Sequence, residues 1–169
     1  EQGHVKAQNE IGAFYEKGIG VPRDPAKAVY WYEKAATQGY PPAQYHLSLK
    51  LSAGEGVKKD EIRSTMLLRK AAEGGLAMAE YNLGVQYING LGVKKDFNEA
   101  AKFFRKSADH GYHYAMFNLA NSYLRGAGVK KDLVKTYMWL YLSIGGGAKQ
   151  KELSKKIETR TKMSRSEYT

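Results

Sequence analysis

The sequence predicts an all-α solenoid of four 36-residue helix pairs, and three observations carry that prediction. The alanines Ala7, Ala43, Ala79 and Ala115 recur every 36 residues. The glycine pairs Gly18/Gly20, Gly54/Gly56, Gly90/Gly92 and Gly126/Gly128 recur in phase with them. No segment reads as a competing strand, so the unit being repeated is helical and each copy buries its core against its neighbours.

The elements follow in order from one unit. Ala7, Ile11, Phe14 and Tyr15 stand at helical spacing and give a first helix over about 4–17. Gly18 stops it, because the left-handed backbone that ends many helices is accessible to glycine at little steric cost. Asp24 then precedes Pro25, which places an N-cap carboxylate before a proline at the first helical position. The second helix presents Ala28, Trp31, Tyr32 and Ala35 before Gly39 closes it, and Tyr40, Leu76 and Tyr112 follow the closing glycines. Propagating the unit predicts helices over 4–17, 24–38, 41–53, 60–74, 77–89, 96–110, 113–125 and 132–144. Asp96 with Glu99 three residues on resembles a capping box.

Four units are expected at about 3–38, 39–74, 75–110 and 111–147, followed by residues 148–169. That terminal stretch departs from the repeat. Leu142 and Ile144 replace a lysine and an alanine of the earlier units, leaving apolar surface to be covered. Leu153 and Ile157, set among Lys151, Lys155, Lys156 and Arg160, suit a basic capping helix. Ser164-Arg165-Ser166-Glu167 reads as the truncated start of a further helix. The opening Glu1-Gln2-Gly3 resembles the Gln38-Gly39 close of a second helix, so the array is expected to continue beyond both ends.

Composition narrows the function. The formal net charge is +10, and residues 145–169 hold seven Lys/Arg against three Asp/Glu. The absence of cysteine excludes disulfides, thiolate metal sites and a cysteine nucleophile, and leaves the compartment open. No apolar run approaches the roughly 18–20 residues that span a bilayer, so no transmembrane segment is expected.

Catalytic constellations are missing from the pattern. Asp24, Asp60, Asp96 and Asp132 hold equivalent positions in successive units, too far apart for a carboxylate dyad and well placed to cap helices. His110 and His113 are separated by Gly111 and a turn, which works against a metal site. No serine lies in a Gly-x-Ser-x-Gly elbow, and no Lys-Ser/Thr follows the paired glycines as a phosphate loop requires. The chain is expected to have no catalytic, cofactor or metal site.

The columns Ala-x3-Leu-Gly-x2-Tyr-x2-Gly-x-Gly-Val-x2-Asp, then Lys-Ala-x2-Trp-Tyr-x-Lys-Ala-Ala-x2-Gly, resemble the Sel-one-like repeat (SLR), a relative of the tetratricopeptide repeat. Ala79–Gly111 matches most fully, and the resemblance covers about 1–147. It implies a right-handed superhelix whose first helices line a concave face. The second unit departs at Ser48, Leu51, Ser64 and Leu67, which weakens its packing.

Two surfaces are candidates for a partner. By the resemblance, the concave groove is lined by Asn9, Tyr45, Tyr81 and Phe117, then Leu49, Val85 and Asn121, then Ile88, Asn89, Leu124 and Arg125. The other is a basic edge of Lys58, Lys59, Lys94, Lys95, Lys130 and Lys131, which suits an acidic protein surface, an anionic polysaccharide or membrane headgroups. Nucleic acid is disfavoured, since no base-reading motif accompanies the charge.

The leading expectation is a non-enzymatic scaffold or adaptor for a protein or peptide, as the resemblance to adaptors in protein degradation, envelope assembly, signalling and host-cell entry implies, and the regular Gly-Val-Lys-Lys-Asp loops suggest a bacterial origin. Two alternatives stand beside it. One is a cell-wall or β-lactam hydrolase like the cysteine-rich SLR proteins, whose cysteines this chain lacks. The other is an inhibitor or immunity protein that caps a toxin.

Overall fold

The computed structural model describes residues 2–145, with side chains from His4 onward. The expected capping helix, with Leu153 and Ile157, and the truncated helix at 164–167 lie outside the described residues. All regular structure among the described residues is helical: α1 (Gln2–Lys17), α2 (Pro25–Thr37), α3 (Pro41–Ala53), α4 (Glu61–Glu73), α5 (Ala77–Asn89), α6 (Phe97–Asp109), α7 (His113–Arg125) and α8 (Leu133–Ile144). The chain divides into two compact units at Asp96–Phe97, the first holding α1–α5 and the second beginning with α6.

Local chemistry explains the boundaries. Asp24, Asp60 and Asp132 each accept a backbone N–H through the side chain, from Lys27, Arg63 and Lys135 at 3.0, 2.9 and 3.0 Å, so these acids are N-caps. The same residues tie down the loops, because the Asp24, Asp60 and Asp132 amides donate back to the carbonyls of Tyr15, Leu51 and Tyr123. The second helices close by Schellman geometry: the Tyr40 amide reaches Ala35 O and the Gly39 amide reaches Ala36 O, with Leu76/Gly75 and Tyr112/Gly111 repeating the pattern.

The paired glycines have separate duties. Gly54 at φ 72° ends α3 in the left-handed region. Gly56 also has positive φ, but its position is fixed by a neighbour: a Cβ there would lie 2.4 Å from the Pro25 carbonyl carbon, at the start of α2. In the second unit, a Cβ on Gly128 would lie 1.8 Å from the Phe97 carbonyl oxygen at the start of α6. The second glycine of a loop is therefore where that loop abuts the second helix of the preceding repeat.

The first unit's core is built from Ala28, Tyr32, Ala35, Ala43, Leu47 and Leu51, with Val5, Tyr15 and Leu67 packed against it. Small residues let the backbones approach and Tyr32, fully buried, fills the space between them. In the second unit Ala100, Phe104, Ala115, Leu119, Met138 and Trp139 take these roles. Three residues depart from the expected stripe. Ala7 and Phe14 are exposed and Trp31 is half-buried, whereas Ala43, Ala79, Ala115 and Trp139 are buried.

Candidate recognition surface

The candidate residues lie on the first helices, α1, α3 and α5 in the first unit and α7 in the second. In the first unit Leu49 is 41% exposed, Val85 and Ile88 are half-buried, and Asn89 is exposed at the end of α5. Tyr45 and Tyr81 are half-buried. The Tyr45 hydroxyl accepts a hydrogen bond from Asn82 Nδ2 at 3.2 Å, linking α3 to α5. Burial raises the Tyr45 pKa, with the Asn82 donor opposing it in part. Asn9 differs from the rest of its column: it is buried, and its Oδ1 lies 3.2 Å from His46 Nδ1.

In the second unit α7 presents Phe117 at 50% and Leu124 at 42% exposure, flanked by half-buried Asn121 and exposed Arg125. Large apolar side chains left open on a helix face, with polar groups beside them, are the composition of an interface patch.

A polar cluster that sequence reasoning missed borders the first unit's face. Lys50 of α3 is buried, and its ammonium pairs with Glu16 of α1 and with Glu55 at 2.9 Å in the following loop. Tyr32 donates its hydroxyl to Glu16, and Arg23 pairs with Glu55 from outside. Burial pushes the Glu16 pKa upward, but the Lys50 and Tyr32 hydrogen bonds and the Lys50 charge outweigh it and hold the carboxyl below its ordinary value. Burial likewise works against the Lys50 charge, and the two carboxylates overcome it, raising its pKa. His46 is the opposite case: burial lowers its pKa despite the nearby Glu16.

The signal for this cluster was in the columns. Lys50 stands where the other units have Phe14, Gln86 and Ser122, and Glu55 where they have Ile19, Leu91 and Ala127. Those positions vary chemically from unit to unit and so escaped a reading built on repetition.

The basic edge is exposed throughout. Lys59 is paired with Glu61 at 2.9 Å, which reduces its share of the field. His110 and His113 are both exposed, and no group of three or more His, Cys, Asp or Glu among the described residues could hold a metal ion. No described helix is long and apolar enough to cross a membrane.

Stacked helix pairs with an open first-helix face define a helical-repeat protein of the tetratricopeptide class. Comparison with known proteins makes the assignment specific. The Sel1 repeat model matches residues 5–40, 41–76, 77–112 and 113–147, and the chain belongs to the Sel1 repeat family.

Two solved structures are similar. One is c5321, a protective antigen of uropathogenic Escherichia coli displaying an SLR fold, 39% identical with a TM-score of 0.79 over 82% of this chain and 30% of its own. The other is a Sel1 repeat protein from Oxalobacter formigenes, 37% identical with a TM-score of 0.79 over 84% of this chain and 58% of its own. Chitin synthase regulatory factor 3 of Schizosaccharomyces pombe is 50% identical over 40 residues, which are 24% of this chain and 4% of that protein. The chain thus spans less than two thirds of each of these proteins. Sel1 repeat proteins generally mediate protein–protein interaction, and the family is mainly non-enzymatic.

Proposed function

We propose that this chain is a binding scaffold that holds a protein or peptide partner against the exposed face of its first helices. The observation that carries the reading is the retention of open apolar side chains there, Leu49 in the first unit and Phe117 and Leu124 in the second, at 41%, 50% and 42% exposure. Exposing such groups has no folding benefit, whereas burying an aliphatic or aromatic side chain on binding contributes roughly 1.5–3 kcal/mol. Asn89 and Arg125, exposed at the helix ends, supply the polar rim that orients a partner. The lysines of the basic edge steer acidic partners toward this face.

The similarity to a bacterial protective antigen and to an Oxalobacter Sel1 repeat protein supports a bacterial adaptor. Affinity capture from the source cell lysate, run in parallel with wild type, Leu49→Ser, Phe117→Ser and Lys94→Ser/Lys95→Ser, tests the proposal. The same partner should be retained by wild type and the lysine variant and lost from both apolar variants. Retention by both apolar variants, with loss from the lysine variant, would move the site to the basic edge.

A further inference from the structure

A cleft of about 430 Å³ in the first unit is lined by residues of α2 and α4, with Gln44 and Leu47 of α3. Its walls include Ala36 of α2 and Met66 and Leu67 of α4, with Glu33, Arg63 and Lys70 at its rim. One residue of its wall departs from the repeat. Leu67 stands where the other units carry Trp31, Phe103 and Trp139. The second unit shows what an aromatic side chain does there: Trp139 of α8 is only 4% exposed and lies 4.8 Å from the Arg105 guanidinium of α6, the preceding second helix. Leucine is too short to make that contact, so the space an indole would occupy stays open.

The charge at the cleft combines an ion pair with a lysine that recurs at Lys34 and Lys106 in this column. Glu33 and Arg63 form an ion pair across the two helices and neutralise each other. Lys70 is exposed and makes no ion pair among the described residues, at the position where α8 carries the buried Leu142. The cleft therefore offers an apolar slot shaped by a missing ring, beside an unneutralised cation. Its volume falls within the roughly 300–1,000 Å³ range of ligand sites.

We infer that this cleft is a second recognition site, taking from a partner peptide an aromatic side chain with a carboxylate next to it. The ring replaces the absent indole between α2 and α4, and the carboxylate meets Lys70. The site does not depend on the first-helix proposal, since none of the candidate residues named for that face lines it.

The test is an amide-resolved NMR titration of the 169-residue chain with acetyl-Trp-Asp-amide, using acetyl-Trp-Asn-amide as the uncharged control. Saturable shifts are expected at Ala36, Thr37, Leu67 and Lys70. Leu67→Trp restores the residue type of the other repeats and should abolish binding while keeping the fold. Met66→Lys, made at a position 57% exposed, should block the slot independently of any repacking. Lys70→Glu should weaken binding of the acidic peptide by about three- to fivefold, the range of an exposed ion pair, and leave the control unchanged.

Absence of localised shifts, equal binding of both peptides, or undiminished binding in both Leu67→Trp and Met66→Lys would overturn the inference. So would a concentration-dependent dimer that Leu67→Trp dissolves, because the occupant would then be a second copy of the chain.

Discussion

Gly56 and Gly20 share a positive φ yet differ in surroundings, which makes them a controlled pair. An alanine at either meets the same backbone penalty, but at Gly56 it also meets the Pro25 carbonyl, while a Cβ on Gly20 has nothing within 4 Å. Gly56→Ala should therefore be the more destabilising by about 1–3 kcal/mol, the usual range for overpacking, in urea denaturation. Equal losses would show that only φ matters. His46 gives a second residue-scale prediction. Its pKa is lowered by burial, with Glu16 and Glu10 opposing and Lys50 and Lys17 reinforcing the shift. The unfolded chain then binds the proton first, so the His46 contribution is complete above its ordinary value near 6.5 and is lost as pH falls toward the lower folded value. His46→Asn adopts the residue of Asn82 and Asn118, and should flatten the stability profile between about pH 5 and 7, where an unperturbed histidine titrates. Thermal melts across that range distinguish the two chains. Lys50 shows why such groups were illegible beforehand: its value comes from Glu16 and Glu55 converging in space, which spacing along the chain does not encode.

Helices were the most legible part of the molecule, because glycine, aspartate and the apolar stripe each mark a different point along them. Gly54, Gly90 and Gly126 end α3, α5 and α7 in the left-handed conformation expected of them. Asp60 and Asp132 begin α4 and α8 by direct side-chain capping. Asp60→Ala should lower stability by about 0.5–2 kcal/mol, whereas Asp60→Asn, which keeps an acceptor, should recover most of that loss. Chemical denaturation of both variants checks it, and equal losses would argue that charge rather than capping is at work. What spacing could not reveal was depth. Asn9 shares a column with Tyr45, Tyr81 and Phe117 but is buried against His46, and only packing shows the difference. Leu67 was legible as a departure from its column, yet the open space beside it depends on where Ala36 and Met66 sit.

At the scale of the whole chain, folding and binding have separate origins. Within each unit the closest packing joins helices consecutive in sequence, as in α1 with α2 and α7 with α8. Energetics of this kind are approximately a sum of repeat and neighbour terms. The exposed lysines contribute little to that sum and more to encounter. Lys94→Ser/Lys95→Ser should slow association with an acidic partner and flatten its salt dependence while dissociation stays nearly constant, measured by binding kinetics at two ionic strengths. A faster dissociation with unchanged association would place the lysines inside the contact instead. The abutment of Gly56 on Pro25, and of Gly128 on Phe97, has a further consequence for how such a chain can change. Each junction uses the same two landmarks, a loop glycine and a helix start one repeat earlier, so a whole 36-residue cassette can be duplicated or excised and the cut ends will still find matching surfaces. A change in length made by whole repeats thus keeps both landmarks at every junction it leaves.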